Sequence, residues 1–304
     1  MSIKVALKAI CAAAVVAASA TANAGMFYMD IGASYGPAGG QVNANSTSVK
    51  KQMTFQYVSS TVFTDKDTSF GISVGDTTNT SAGYIPTSAN PFHTDTSLNN
   101  VTGFSPNQIG ANNSNNGYVN HWYLSFGIEN LTGKVSSFGT GPEITYNSGS
   151  VLKMYLFTDA DGFTSPINFM NINITGGQSG TGGTILNGKV DFTGLALTGY
   201  ENLFHSATYS CGGQSGFYSL WSTCGSNPPG DLAISFRGDF NTDPDILGSV
   251  GFNGFDADGN ATFLIDGAQH DGSATFSVPE PASLALVGLG LIGAGVIRRR
   301  KQAA

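Results

Sequence analysis

Between residues 25 and 278, apolar and polar residues alternate with a period of two along one short run after another. This is the pattern of strands with one buried face. It predicts strands at Met53–Phe63, Ser69–Val74, Val119–Ile128, Val151–Thr158, Asn168–Thr175, Gly188–Leu197, Leu232–Phe240, Ala261–Asp266 and Ser273–Val278. In the run from 231 to 238, Leu232, Ile234 and Phe236 point one way while Ser235 and Arg237 point the other, as in a half-buried antiparallel strand. Asn-Gly, Asp-Gly, Gly-Gly and Gly-Pro pairs separate the runs and supply turn chemistry. No amphipathic helix of ten or more residues is readable in this body. The expected fold is all-β: an antiparallel β-sandwich, jelly-roll-like. Its length suits one large domain or two small ones. Two stretches break the alternation. Residues 75–117 are rich in Thr, Ser, Asn and Gly and are expected to be loose, and GGQSGTGG at 176–183 is expected to be a flexible surface turn. The tetrapeptide DADG occurs at 159–162 and again at 256–259, but the flanking residues do not support a duplication.

Both ends depart from the pattern. In residues 1–24, Lys4 and Lys8 precede an apolar stretch from Ile10 to Ala18, and Ala22-Asn23-Ala24 follows with small residues at the cleavage positions. This is a secretory signal peptide, which the secretion translocon and a signal peptidase would handle, leaving Gly25 at the mature N-terminus. Residues 278–304 have three parts. Val278-Pro279-Glu280-Pro281 comes first, and its prolines bar both helix and ladder pairing. The uncharged stretch Ala282–Ile297 follows, and as a helix it would span about 24 Å at about 1.5 Å per residue. Arg298, Arg299, Arg300 and Lys301 then form a cytoplasmic stop, which orients a single transmembrane helix with the body outside.

This C-terminus resembles the PEP-CTERM sorting signal of Gram-negative bacteria. A plain tail anchor would account for the apolar span and the arginines but not for Pro279, Glu280 and Pro281. The resemblance implies that an exosortase-type membrane protease recognises those three residues. The precursor would sit in the inner membrane with its body in the periplasm, and the body would then pass to the cell surface or extracellular matrix. The family usually occurs in bacteria that make exopolysaccharide. The stretches at 189–192, 238–241 and 272–276 are also similar to flocculation-associated PEP-CTERM proteins.

Composition narrows the function. Charged residues make up 11% of the chain against roughly 25% in ordinary soluble domains. With 40% apolar residues the chain can fill a core and is not a charge-rich disordered segment. The body between the two end segments holds seven basic and nineteen acidic side chains, a net charge of −12. That balance repels phosphate backbones, and no basic stripe offsets it, so nucleic acid is excluded as a partner.

Candidate chemistry is sparse. Cys211 and Cys224 form an even pair in an exported chain and are expected to be a disulfide closing a loop that holds Phe217, Tyr218 and Trp221. These aromatics either present a binding surface or tuck onto the sandwich, and the second reading is favoured. Gly71-Ile72-Ser73-Val74-Gly75 fits the G-x-S-x-G pattern, but loop residues follow where the nucleophile elbow needs a helix. His93, His121, His205 and His270 show no zinc-binding spacing; His121 is expected to be structural and His270 exposed. Asp239, Asn241 and Asp243 form one cluster of oxygen donors, and Asp256, Asp258 and Asn260 form another; either is a candidate Ca²⁺ loop or ordinary turn chemistry. No cofactor is otherwise expected. The favoured reading is a non-catalytic surface or matrix protein that contributes to biofilm or floc cohesion with exopolysaccharide. A carbohydrate-binding sandwich is the alternative, and a secreted glycan hydrolase the second alternative.

Overall fold

The computed structural model describes residues 25–36, 39–86, 99–105, 114–139, 141–180, 183–224, 234–242 and 249–278. The signal peptide, Pro279–Pro281, Ala282–Ile297, the Arg298–Lys301 cluster, His93 and Asp243 lie outside them. Among the described residues no helix is long and apolar enough to cross a membrane.

The body is all-β and antiparallel. Among the described residues thirteen strands run in chain order: β1 Phe27–Met29, β2 Gln52–Thr64, β3 Thr77–Gly83, β4 Asn100–Ser105, β5 Trp122–Phe138, β6 Pro142–Tyr146, β7 Val151–Thr158, β8 Ile167–Gly180, β9 Gly183–Asp191, β10 Phe204–Ser206, β11 Ser235–Thr242, β12 Ser249–Phe255 and β13 Ala261–Ser277. A short α-helix, α1 at Phe217–Thr223, follows β10, and a single 3₁₀ turn at Asp159–Asp161 follows β7. β1 and β10 form a two-stranded sheet, and the other eleven strands form one large sheet.

That large sheet closes on itself. β2 pairs with β3 and β4, both of which pair with β5; β5 pairs with β6 and β7, both of which pair with β8. The ring continues through β9 and β11 to β13, which pairs back along β2 from Thr262↔Thr64 to Ala274↔Met53. The sandwich is thus a ring whose opposing walls enclose one core. Its connections join ring neighbours or strands that share one flank of a neighbour, as β3 and β4, β6 and β7, and β11 and β12 do, while β10 leaves the ring to pair with β1. Such neighbour-to-neighbour closure removes most sheet edges.

Alternation decides what faces inward. On β7, Leu152, Met154 and Leu156 enter the core while Val151, Lys153, Tyr155 and Phe157 face outward. On β5, Trp122, Leu124, Phe126 and Ile128 face inward beside them. One end of the ring is plugged by the rings of Phe27, Phe204, Phe217, Phe236 and Phe276. Gly25 bridges Phe276 at this same end, so the chain enters the body beside the place where β13 leads out to the C-terminal segment.

Several local expectations are corrected. Residues 69–74 form a loop, not a strand. Strands β3 and β4 lie within the stretch expected to be loose. The run 176–180 continues β8 instead of turning at once. The two strands expected at the end of the body are one, β13, which passes Gly267 through a bulge between Asp266 and Ala268. His270 is half-buried instead of exposed, stacked on Tyr57 at 4.7 Å with Nε2 2.6 Å from Ser59 Oγ.

Candidate functional site

A hollow of about 510 Å³ lies on the outer wall where β3, β5 and β7 meet. Its construction starts with two glycines. Gly83 and Gly127 are register partners, and a Cβ on either would collide with backbone of the neighbouring strand. Their contact lets the chain leave β3 close over β5, with Tyr84 N–H donating to the Phe126 carbonyl at 2.7 Å. The Tyr84 ring then sits edge-on to Tyr155 at 5.4 Å and to Phe157 at 5.3 Å. Tyr123 stacks on Phe157 at 4.6 Å and extends this second aromatic cluster, which lies outside the core.

The polar side of the groove comes from a bulge. The register between β3 and β5 shifts between Thr80 and Ala82, so Glu129 and Asn130 together oppose Ser81, and Asn130 takes φ 55°. Such a bulge re-aims side chains. Here it carries Glu129 and Asn130 to the groove, opposite Lys153 and the Ser148-Gly149-Ser150 turn. Ser150 Oγ donates to the Asn130 carbonyl at 2.9 Å and ties that turn to the bulge. Burial, and then the nearby Glu129, push the Tyr155 hydroxyl well above the usual tyrosine range. The groove therefore presents two tyrosine rings, one carboxylate, one ammonium group and several neutral hydrogen-bonding groups. A hydroxyl-rich ligand with apolar ring faces fits this mixture.

The residues singled out in the sequence fall elsewhere. Cys211 and Cys224 are bonded, with Cα atoms 6.0 Å apart. In the chain-entropy account a loop of that size contributes about 3 kcal/mol. Within the loop, α1 buries Phe217 and Leu220, while Tyr218 and Trp221 pack on Phe192 at 5.4 and 5.6 Å. The aromatics are tucked onto the body, as the favoured reading expected.

Of the first oxygen-donor cluster, Asp243 lies outside the described residues. Asp239 lies on the exposed side of β11 and pairs with Ser273 near one end of β13, whereas Asp256 follows β12 beside the other end. Asp256 closes its own turn: Oδ1 accepts from the Asp258 and Asn260 amides at 3.0 and 2.8 Å, and Oδ2 accepts from Asn260 Nδ2 at 2.8 Å. These bonds hold its carboxyl below the usual range. Ser73 of the G-x-S-x-G match lies in a loop and donates to Asp67 at 2.8 Å, without an elbow.

Sequence reasoning missed a carboxylate trio, Asp65, Asp67 and Asp76, whose oxygens lie within 4.8 Å of one another. Each is engaged by its own loop. Asp65 accepts from the Asp67, Ser69 and Phe70 amides, and Asp76 from those of Lys66 and Ser73. Hydrogen bonds from Ser69 and Ser73 hold the Asp67 carboxyl down at about 2. The trio is a clasp that shapes residues 66–76. Lys50 was also unforeseen: its fully buried amine donates to Ser48 Oγ at 3.0 Å and Asn115 Oδ1 at 2.6 Å, and burial lowers its pKa to about 8.

Compared with known families, the chain matches the PEP-CTERM protein-sorting motif over residues 277–301. No curated protein and no solved structure matches it. The chain therefore carries a sorting signal of this kind at its C-terminus, directly after β13. That signal implies export, a membrane-anchored precursor and exosortase-directed delivery to the surface of a Gram-negative cell.

Proposed function

We propose that this is a non-catalytic matrix protein whose body holds exopolysaccharide in the β3–β5–β7 groove and so contributes to cohesion of a biofilm or floc. The observation that carries the reading is the groove itself, with Tyr84 and Tyr155 beside Glu129, Asn130 and Lys153. Aromatic rings offer apolar faces to sugar rings, and the polar groups can meet hydroxyls. The hydrolase alternative finds less support. Glycosidases generally need two carboxyl groups across the scissile bond, and among the described residues lining the groove Glu129 supplies one.

A glycan array probed with the protein, paired with an assay for released reducing ends, tests this. Binding without turnover is expected, and Tyr84→Ala should weaken it at least tenfold, roughly 1.4 kcal/mol. New reducing ends would replace the reading with a hydrolase, and binding unaffected by Tyr84→Ala would move the site elsewhere. Delivery has its own test. Replacing Pro279, Glu280 and Pro281 with alanine should retain the precursor in the inner membrane fraction. Undiminished release of that triple variant would show that these residues do not direct processing.

A further inference from the structure

At the end of the ring opposite Phe276, the inner face of the sheet runs on past its cover. Phe63 is buried in the core and pairs with half-buried Phe263, which pairs in turn with Phe252 on β12. There burial stops. Phe252 is 52% exposed, Phe255 63%, Val250 60%, and Phe70, delivered by the aspartate-clasped loop, 62%. These phenylalanines still cluster, Phe70 on Phe252 at 5.5 Å and Phe252 on Phe255 at 5.3 Å.

The same strand has an open edge. Among the described residues β12 pairs with β13 alone. Its sequence, SVGFNGF, contains no charge and no proline. Natural proteins usually guard an exposed edge with lysine, proline or a covering element, because a free ladder recruits another strand. A single bulge between Phe252 and Gly254 interrupts the ladder, yet β12 still combines an uncharged edge with an apolar face, whereas most monomers bury or disperse such patches.

We infer that β12 is the docking edge for a second copy of this chain, paired strand to strand about a two-fold axis. An antiparallel strand is complementary to itself, so two copies satisfy each other's edge groups and cover each other's phenylalanines. The area is sufficient. Three half-exposed phenylalanines leave roughly 100 Å² each, and with Val74, Val250 and the backbone edge a pair would bury about 1,000 Å² in total, the lower bound for a specific interface. The charges also favour a copy over a bilayer. The rim holds Lys66 and Asp256, 3.7 Å apart, together with exposed Asp67 and Asp258. A rim with both signs but more acid suits its own copy better than anionic lipid. The C-terminal segment leaves from the far end of β13, so this edge points away from the tether. The inference does not depend on what the groove binds.

The test uses the full chain, exported in a Gram-negative host, with single cysteines placed on β12 at Gly251 or Asn253 and, as a control, at Lys134 on β5. Mild oxidation should produce dimers of twice the chain mass through at least one β12 position and none through Lys134→Cys. Adding Val250→Lys, or separately Phe252→Ser, should reduce that product at least tenfold while trypsin resistance shows the body still folded. Absence of a β12 dimer, equal cross-linking through the control, adducts of another mass, or dimers indifferent to both substitutions in folded protein would each overturn the assignment.

Discussion

Replacing Phe276 by alanine is expected to lower the stability of the body by about 4 kcal/mol, within the range of large-to-small core substitutions. Phe276 is 1% exposed and meets four other rings: Phe27 at 5.7 Å, Phe204 and Phe217 at 5.4 Å, and Phe236 at 5.8 Å. Those partners come from β1, β10, α1 and β11, so the cavity would open where four separate elements meet. None can close it alone, since β1 is bridged to Lys50, β10 is paired to β1, and β11 is held by β9 and β13. Partial relaxation leaves a void, and its cost adds to the lost transfer energy. Urea unfolding of the mature body, followed by tryptophan fluorescence, measures the loss. Phe276→Leu should cost less than half as much. An alanine variant within 1 kcal/mol of the parent would show that the plugged end does not hold the ring together.

The same end links fold to address. Gly25 and Phe276 are bridged, so the points where the chain enters the body and where it leaves for the sorting motif lie side by side, and the groove and the β12 edge lie on other parts of the surface. A body held at that end leaves its outer wall and far end exposed.

How much of this was readable depended on where the stabilisation comes from. β7 spans the same residues that its alternation predicts, because both faces of VLKMYLFT are decided by burial. β3, with sequence TTNTSAG, carries almost no apolar signal. It is a strand because β2 and β5 flank it on both sides and saturate its backbone, which is tertiary context overriding local propensity. Residues 69–74 failed in the opposite sense. Phe70, Ile72 and Val74 alternate, but the carboxylates of Asp65 and Asp76 capture the Ser69, Phe70 and Ser73 amides, and Thr68 and Phe70 take φ 61° and 59°. The groove was unreadable for a related reason: Tyr84, Glu129, Ser150 and Tyr155 become neighbours only through the Gly83–Gly127 contact and a one-residue bulge.

Acid should unfold the body in a step that belongs to His270. Its imidazole lies between sheet walls, stacked on Tyr57, with Nε2 at 2.6 Å from Ser59 Oγ, and burial pushes its pKa from 6.5 down to about 4. The folded form thus keeps the ring neutral where the unfolded chain binds a proton. A depressed histidine pKa means that the unfolded state gains protons first, so stability falls as pH drops below about 6.5 and the loss levels off below about 4. A shift of that size corresponds to about 3 kcal/mol as an upper bound. His205, also lowered by burial, adds to the slope with the same sign. Asp191 and Glu201, whose carboxyls hydrogen bonds hold below their usual values, lose their contribution only at still lower pH. Urea midpoints between pH 7.5 and 4.5 separate these groups. His270→Gln, which keeps a polar partner for Ser59, should be less stable than the parent at pH 7.5 yet lose about 2 kcal/mol less on acidification. Parallel pH profiles for parent and variant would mean that His270 takes up its proton as readily in the folded body as in the unfolded chain, and the burial that holds β13 against β2 at this point would have to be assigned to Tyr57 and Phe240 instead.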